Sequence, residues 1–228
     1  MNLSKLGLVR EFIDYIIKEY SKDLYFCYRA SDYTPKEILD KSTWKDRIRD
    51  CLDPEQISYN VKASLDEYLN EFSENYYGLD YETNCGAQQV AFIFDDEVYK
   101  VTSVTEVCDE IISFKKYLGE YGHFIAETNY IEDYKGMVIY KQEKVDTNYD
   151  YNYDEDKAIS STADDLTCYI DDEDLTFQIG AELNYNDDKI NELYALFESY
   201  DNYCGFDIHS ENWGTVNGKV RIYDPFYM

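Results

Sequence analysis

The chain has 228 residues, 44% of them hydrophobic, so it is long enough and apolar enough for one substantial folded domain. It contains no run of about 18 apolar residues, so we expect no membrane-spanning helix. Its first residues lack the basic and apolar regions of a secretory signal. The formal net charge of −27 predicts a surface that repels nucleic acids and membranes and attracts basic proteins. Solubility alone is the alternative explanation, and composition does not decide between the two.

The cysteine pattern indicates the compartment. Six cysteines are widely scattered without a Cys-x-x-Cys pair, and there are only two histidines. This pattern predicts reduced cysteines in a cytoplasmic protein and no zinc site.

Residues 1–80 have the pattern of amphipathic helices. Two helix starts, each a capping residue followed by proline, occur at residues 34–37 and 53–56. We predict a helical appendage packed on a domain formed by residues 81–228. Two apolar stripes follow helical spacing: Val9, Phe12, Ile13, Ile16, Ile17 and Tyr20, and then Val61, Leu65, Leu69 and Phe72.

From about residue 81 the pattern changes to strands. Residues 85–94 predict a strand, a turn and a second strand, and residues 97–101 predict a third after a turn at Asp95 and Asp96. Lys100 is a lone cation in this last, β-prone run. Its ordinary interpretation is a surface lysine on an edge strand.

A helix over residues 104–118 is predicted next, because apolar residues recur on one face. Residues 124–130 and 136–140 predict two more strands. Residues 146–174 contain 11 acidic residues and one lysine, which predicts a solvated insert or a docking segment for a basic partner. A further helix is expected from Asn186 and Asp187.

The C-terminal region carries the strongest local signal. Asn217-Gly218 between β-prone arms, residues 213–216 and 219–223, predicts a hairpin. Asn212 and Asp224 would then lie at the same end of that hairpin, where an amide oxygen and a carboxylate suit Mg²⁺. Asp207, in the loop before it, would accept a proton from an attacking hydroxyl group.

Asp207, Asn212 and Asp224 resemble, in order and spacing, the catalytic loop and metal-binding aspartate of protein-kinase-like phosphotransferases. Gly205-Phe206 replaces the usual His-Arg, and Asp224-Pro225-Phe226 replaces Asp-Phe-Gly. A group of short, phage-encoded kinase-like proteins that tolerates Asp-Pro is more similar.

The resemblance covers about residues 82–226 and implies an α+β, kinase-like fold: a small antiparallel N-lobe sheet, a reduced helical C-lobe and the N-terminal helical appendage. It also implies ATP and Mg²⁺ as cofactors. Gly86 would lie in the hairpin over the nucleotide phosphates, Lys100 would contact them, and Glu110, or else Glu106, would hold Lys100. A hinge beside the adenine would lie near residues 140–143. Because the sequence ends four residues after Asp224, we expect no peptide-binding C-lobe beyond it.

Two functions follow from the sequence. The first is a phage-encoded kinase that acts on a host protein in the host cytoplasm. The second is a catalytically inactive kinase-like protein whose acidic surface binds and inhibits a basic, nucleic-acid-binding host protein. Both predict a protein partner, without direct binding to nucleic acid or to a membrane.

Overall fold

The computed structural model describes residues 4–28, 69–73, 79–85, 89–102, 106–148, 170, 172–200 and 205–227. The predicted helix starts at residues 34–37 and 53–56 lie outside these residues, as do Gly86 and most of the acidic insert. The described part is a mixed α+β structure with a five-stranded antiparallel sheet. The chain forms two compact units, Met1–Thr105 with Tyr130–Lys141, and Glu106–Asn129 with Gln142–Met228.

The first unit places a helix on one face of the sheet. Helix α1 covers Lys5–Tyr28, and four residues of its predicted stripe, Val9, Phe12, Ile13 and Ile16, are buried. Phe12 is the centre of this core, since its ring lies 5.3 Å from that of Phe72 and 5.0 Å from that of Phe92. Leu69 and Phe72 of the second predicted stripe are buried in the same core. The helix therefore shares a core with the strands, while the domain limit at residue 81 stays a prediction.

The five strands run in the order β1-β2-β3-β5-β4. The turn between β2 and β3 is closed by the Phe94 amide, which donates to the Glu97 carbonyl at 2.9 Å. Lys135 and Gly136 connect β4 and β5 with positive φ angles of 52° and 91°. The strands are β1 Glu82–Cys85, β2 Gln89–Ile93, β3 Glu97–Thr102, β4 Thr128–Tyr134 and β5 Met137–Glu143.

The structure corrects the prediction of a strand over residues 124–130. A 3₁₀ helix covers Gly119–Phe124, and β4 begins only at Thr128. Phe124, Ile125 and Ala126 are all fully buried, so consecutive side chains do not alternate between two faces as in a regular strand.

The region predicted as a hinge, residues 140–143, continues strand β5. The chain passes from the first unit to the second between Lys141 and Gln142.

The second unit contains three helices and four short strands besides the 3₁₀ helix, among the residues described. Helix α2 buries its predicted apolar face, and α4 begins at the predicted position because the Asn186 side chain accepts from the Asp188 and Lys189 amides. These elements are α2 Glu106–Tyr117, α3 Glu173–Glu182, α4 Asp187–Tyr200, β6 Gly205–Phe206, β7 Trp213–Val216, β8 Lys219–Ile222 and β9 Phe226–Tyr227.

Helix α3 corrects the predicted extent of the acidic insert. The insert was predicted to reach residue 174, but Ile170 is fully buried and Asp172 caps α3 by accepting from the Leu175 amide at 3.0 Å. The acidic residues at this end of the insert therefore begin a helix, where carboxylates are favourable because of the exposed amide groups of the first turn.

The Arg10–Glu132 ion pair gives the first unit a measurable pH dependence. Both guanidinium contacts are short, 2.6 and 2.7 Å, and this hydrogen bonding holds the pKa of Glu132 below its ordinary value of 4.5. A lowered pKa adds stability that is present above pH 4.5 and is lost as the pH falls through the lowered value. Because the pair is partly exposed, Glu132→Gln should lower the free energy of unfolding by at most about 1 kcal/mol at pH 7.

Urea denaturation at pH 7 and at pH 3 checks this prediction, with exposed Glu82→Gln as the control. The difference between wild type and Glu132→Gln should shrink at the lower pH. An equal difference at both pH values would contradict it.

Candidate active site

The predicted hairpin is confirmed and presents the candidate site at one end. Strands β7 and β8 pair antiparallel with Trp213 opposite Ile222, so the residues just outside this pair, Asn212 and Tyr223, are neighbours. The turn residues Asn217 and Gly218 have φ angles of 54° and 73°, the left-handed conformations that the two central positions of a type I′ turn require. The strand ends at Ile222, one residue earlier than predicted.

Backbone and side-chain hydrogen bonds bring Asp207, Asn212 and Asp224 together. The Asp224 amide approaches the Asn212 carbonyl at 3.4 Å, and the Asn212 side-chain nitrogen donates to the Asp207 carbonyl at 2.5 Å. The Asp207 amide donates to the Pro225 carbonyl at 2.9 Å, next to the β6–β9 pairing. The three residues that the spacing singled out therefore form one contiguous group in the second unit.

The donor atoms of this group suit a hard cation. The amide nitrogen of Asn212 is engaged by Asp207, so its amide oxygen is the atom left to face a ligand, and Asp224 contributes a carboxylate at the same hairpin end. Mg²⁺ takes such oxygen ligands from one or two side chains and completes its shell with phosphates and water. No group of three His, Cys, Asp or Glu suited to a metal occurs among the described residues. The two side-chain oxygens of Asn212 and Asp224 would be the protein's share of such a Mg²⁺ shell.

His209 is a neighbour of this group that the sequence did not assign to it. Its Nδ1 accepts from the Glu211 amide at 3.2 Å. Its Nε2 lies 3.1 Å from the Asn212 side-chain nitrogen and 3.4 Å from a carboxylate oxygen of Asp207. The histidine therefore contacts two members of the group. In the sequence, only its position two residues after Asp207 pointed to a place for His209 beside this group.

A buried carboxylate anchors the start of the hairpin. Trp213 is fully buried, and its indole nitrogen donates at 2.5 Å to Asp172, the residue that caps α3. One side chain thus ties the α3 N-terminus to the residue that follows Asn212. No sequence pattern predicts this pairing, since Asp172 lies within an acidic run.

We expect Trp213→Phe to lower the free energy of unfolding by about 2 kcal/mol, because it leaves a buried carboxylate oxygen without its donor. Urea denaturation of a double-mutant cycle with Asp172→Asn measures the coupling. The double variant should lose less stability than the sum of the single variants. Strict additivity would show that the two side chains are not coupled.

The sheet of the first unit presents Lys100 on the face opposite α1. In β3, Tyr99 and Val101 pair with Phe92 and Val90, which lie in the core under α1. Lys100 alternates with them and therefore points to the other face. It is only 4% exposed and lies on the central strand, so the interpretation as a surface lysine on an edge strand is wrong.

The surroundings of Lys100 are polar and aromatic. Its Nζ lies 5.9 Å from the centre of the Tyr140 ring, and the Tyr140 hydroxyl donates to Gln89. Gln89, Thr102 and Tyr140 are all buried. Lysine side chains are seldom fully buried, so Lys100 beside these polar groups is a candidate functional group.

The remaining predicted residues are not joined to this group. Gly86 lies outside the described residues. Glu110 is on α2, where its carboxylate accepts from the Tyr200 hydroxyl at 2.9 Å, within the second unit. Its pairing with Lys100 stays a prediction.

A cavity of about 640 Å³ lies elsewhere in the second unit, and none of the six predicted site residues lines it. Two of its cations are paired: Lys115 with Glu127 at 2.7 Å, and Arg221 with Glu143 at 2.8 Å. The cavity therefore contains two neutralised charge pairs and is distinct from the candidate site.

No protein-family model matches the chain, and neither a curated protein nor a solved structure matches it. None of the helices that the structure describes is both long and apolar enough to cross a membrane. The residues of this chain and their geometry are therefore the basis for its proposed function.

Proposed function

We propose that the chain is a protein-kinase-like phosphotransferase that transfers a phosphoryl group from Mg-ATP to a hydroxyl group. The observation that carries the proposal is the contiguous group formed by Asp207, Asn212 and Asp224 at one end of the hairpin. Within the group, the Asp224 amide faces the Asn212 carbonyl, and the Asn212 side chain donates to the Asp207 carbonyl. The Asp207 amide donates to the Pro225 carbonyl, so hydrogen bonds hold the loop on both sides of the hairpin.

Each member of the group has a role that its chemistry supports. The Asp207 carboxylate is half-buried beside His209 and accepts the proton of the attacking hydroxyl. The Asn212 oxygen and the Asp224 carboxylate hold Mg²⁺, which neutralises phosphate charge when it is bound. Fixed positions lower the barrier because less ordering is required during the reaction.

The first unit supports the same proposal independently. The buried Lys100 on β3 follows a β1–β2 hairpin and precedes α2, and two further strands follow that helix. This order of elements is the one that the resemblance to kinases implies. In the proposal Lys100 contacts the ATP phosphates and Glu110 of α2 orients it.

The net charge of −27 favours a second candidate, an inactive kinase-like protein that binds and inhibits a basic, nucleic-acid-binding host protein. A phage origin and a host-cytoplasm location belong to both proposals. The two differ in one respect, since only the first requires Mg-ATP.

Transfer of terminally labelled phosphate tests the proposed function. The protein is incubated with the labelled ATP and Mg²⁺, with histones as a basic acceptor that is rich in hydroxyl groups. Label on histone or on the chain itself, lost when EDTA is added, is the expected result. Transfer at the level of an Asp207→Asn control would contradict it and favour the second candidate.

A further inference from the structure

We propose that Gln142 is a positioning residue that fixes the peptide group preceding Asp224 and thereby tunes Mg²⁺ binding. This inference rests on the proposed phosphotransferase function and identifies a residue outside the Asp207, Asn212 and Asp224 group. Gln142 lies within the predicted hinge at residues 140–143, but a glutamine within β5 has no pattern that predicts a positioning role.

Gln142 is only 2% exposed and uses both hydrogens of its side-chain amide. Its Nε2 donates to the Thr128 hydroxyl oxygen at 2.9 Å and to the Tyr223 carbonyl at 2.9 Å. The Thr128 hydroxyl in turn donates to the Ala126 carbonyl at 3.1 Å. The orientation of the glutamine amide is therefore fixed by groups on two segments, residues 126–128 and Tyr223.

The Tyr223 carbonyl and the Asp224 amide belong to one planar peptide group. Gln142 holds the carbonyl of this group, while the Asn212 carbonyl faces its N–H at 3.4 Å. The peptide is thus held from both sides, by a buried side chain and by the backbone of the second predicted Mg²⁺ ligand. Rotation of this peptide would turn the Asp224 side chain, so its restraint positions the carboxylate.

The residues before this peptide are held by backbone hydrogen bonds that do not involve Gln142. The Ala126 amide donates to the Ile222 carbonyl at 2.9 Å, and the Tyr223 amide donates to the Asn212 carbonyl at 2.9 Å. Gln142 is a buried side chain that donates to the Tyr223 carbonyl. Groups that orient a metal ligand in this way typically change metal affinity by about 10- to 100-fold when they are removed.

The matched variants are Gln142→Met and Thr128→Val. Methionine keeps the length of glutamine but donates no hydrogen bond, so the Tyr223 carbonyl loses its restraint. Thr128→Val removes the other partner of the same amide and leaves the Tyr223 contact in place. Each variant loses two hydrogen bonds, and only the first releases the peptide before Asp224.

The experiment measures the melting temperature of each full-length protein at fixed, millimolar ATP while Mg²⁺ is varied. Hydrogen exchange at the Asp224 amide is measured in parallel. We expect Gln142→Met to raise the Mg²⁺ concentration at half-maximal stabilisation about 10-fold and to speed exchange at Asp224. Thr128→Val should leave both within about twofold of wild type. Gln142→Asn, which keeps a donor on a shorter side chain, should shift both in the same direction by a smaller amount, and it replaces Gln142→Met if that variant does not fold.

An unchanged Mg²⁺ midpoint in a folded Gln142→Met protein would overturn the inference, and so would an equal change in Thr128→Val, which would show a merely structural role. If wild type itself shows no stabilisation by Mg-ATP, the proposed function fails and the inference fails with it. If wild type responds and Gln142→Met responds at the same Mg²⁺ concentration, only the inference fails.

Discussion

Replacing Asp224 with asparagine is expected to lower Mg²⁺-dependent phosphoryl transfer at least about 100-fold, since the change removes the carboxylate charge of a proposed Mg²⁺ ligand. The loss should appear without unfolding, because asparagine has nearly the same shape and the backbone contact of residue 224 with Asn212 does not involve the side chain. Initial rates with labelled ATP at several Mg²⁺ concentrations measure the effect.

Glu211→Gln is the matched control for this prediction. Glu211 is an exposed carboxylate in the same loop, and its change removes the same charge from the neighbourhood. A general electrostatic effect would slow both variants alike. A specific metal ligand requires that Asp224→Asn is slow and that Glu211→Gln stays near wild type.

Lys100→Met should lower phosphoryl transfer about 100-fold through weaker binding and positioning of the ATP phosphates. Methionine keeps most of the side-chain volume on the central strand, where Lys100 is only 4% exposed. Urea denaturation of the same variant separates a loss of activity from a loss of folding.

Lys141→Met is the comparison for Lys100. Lys141 lies on the neighbouring strand β5 and pairs with Glu97 at the partly exposed side of the same unit. Its loss should leave transfer near wild type and cost at most about 1 kcal/mol of stability. If Lys100→Met retained full activity, the assignment of Lys100 to the phosphates would be wrong.

The local patterns that the sequence predicted well depend on short-range physics. The stripe around Phe12 follows helical spacing, and the helix burying it is present. The hairpin turn requires two positive φ angles, which Asn-Gly adopts more readily than most dipeptides. The Asn217-Gly218 pair therefore predicted the hairpin, and with it the proximity of Asn212 and Asp224.

The features that the sequence did not predict depend on long-range contacts. Residues 124–126 are apolar, as in a strand, but they lie between the end of a 3₁₀ helix and the start of β4, and all three are buried. Asp172 belongs by composition to a solvated run, yet it caps α3 and holds Trp213. The burial of Lys100 and the contacts of Gln142 depend on which strands become neighbours, and residue spacing along the chain does not specify that.

The most direct test of the proposed function is the melting temperature of the wild-type protein with ATP and Mg²⁺ together and with each alone. A ligand that binds only the folded state stabilises it by about 2.7 kcal/mol at 100 times its dissociation constant, so a nucleotide site has a visible effect. The phosphotransferase proposal predicts a rise that requires both ATP and Mg²⁺ and is lost in Lys100→Met and Asp224→Asn. The absence of any rise at millimolar ATP and Mg²⁺ would contradict it.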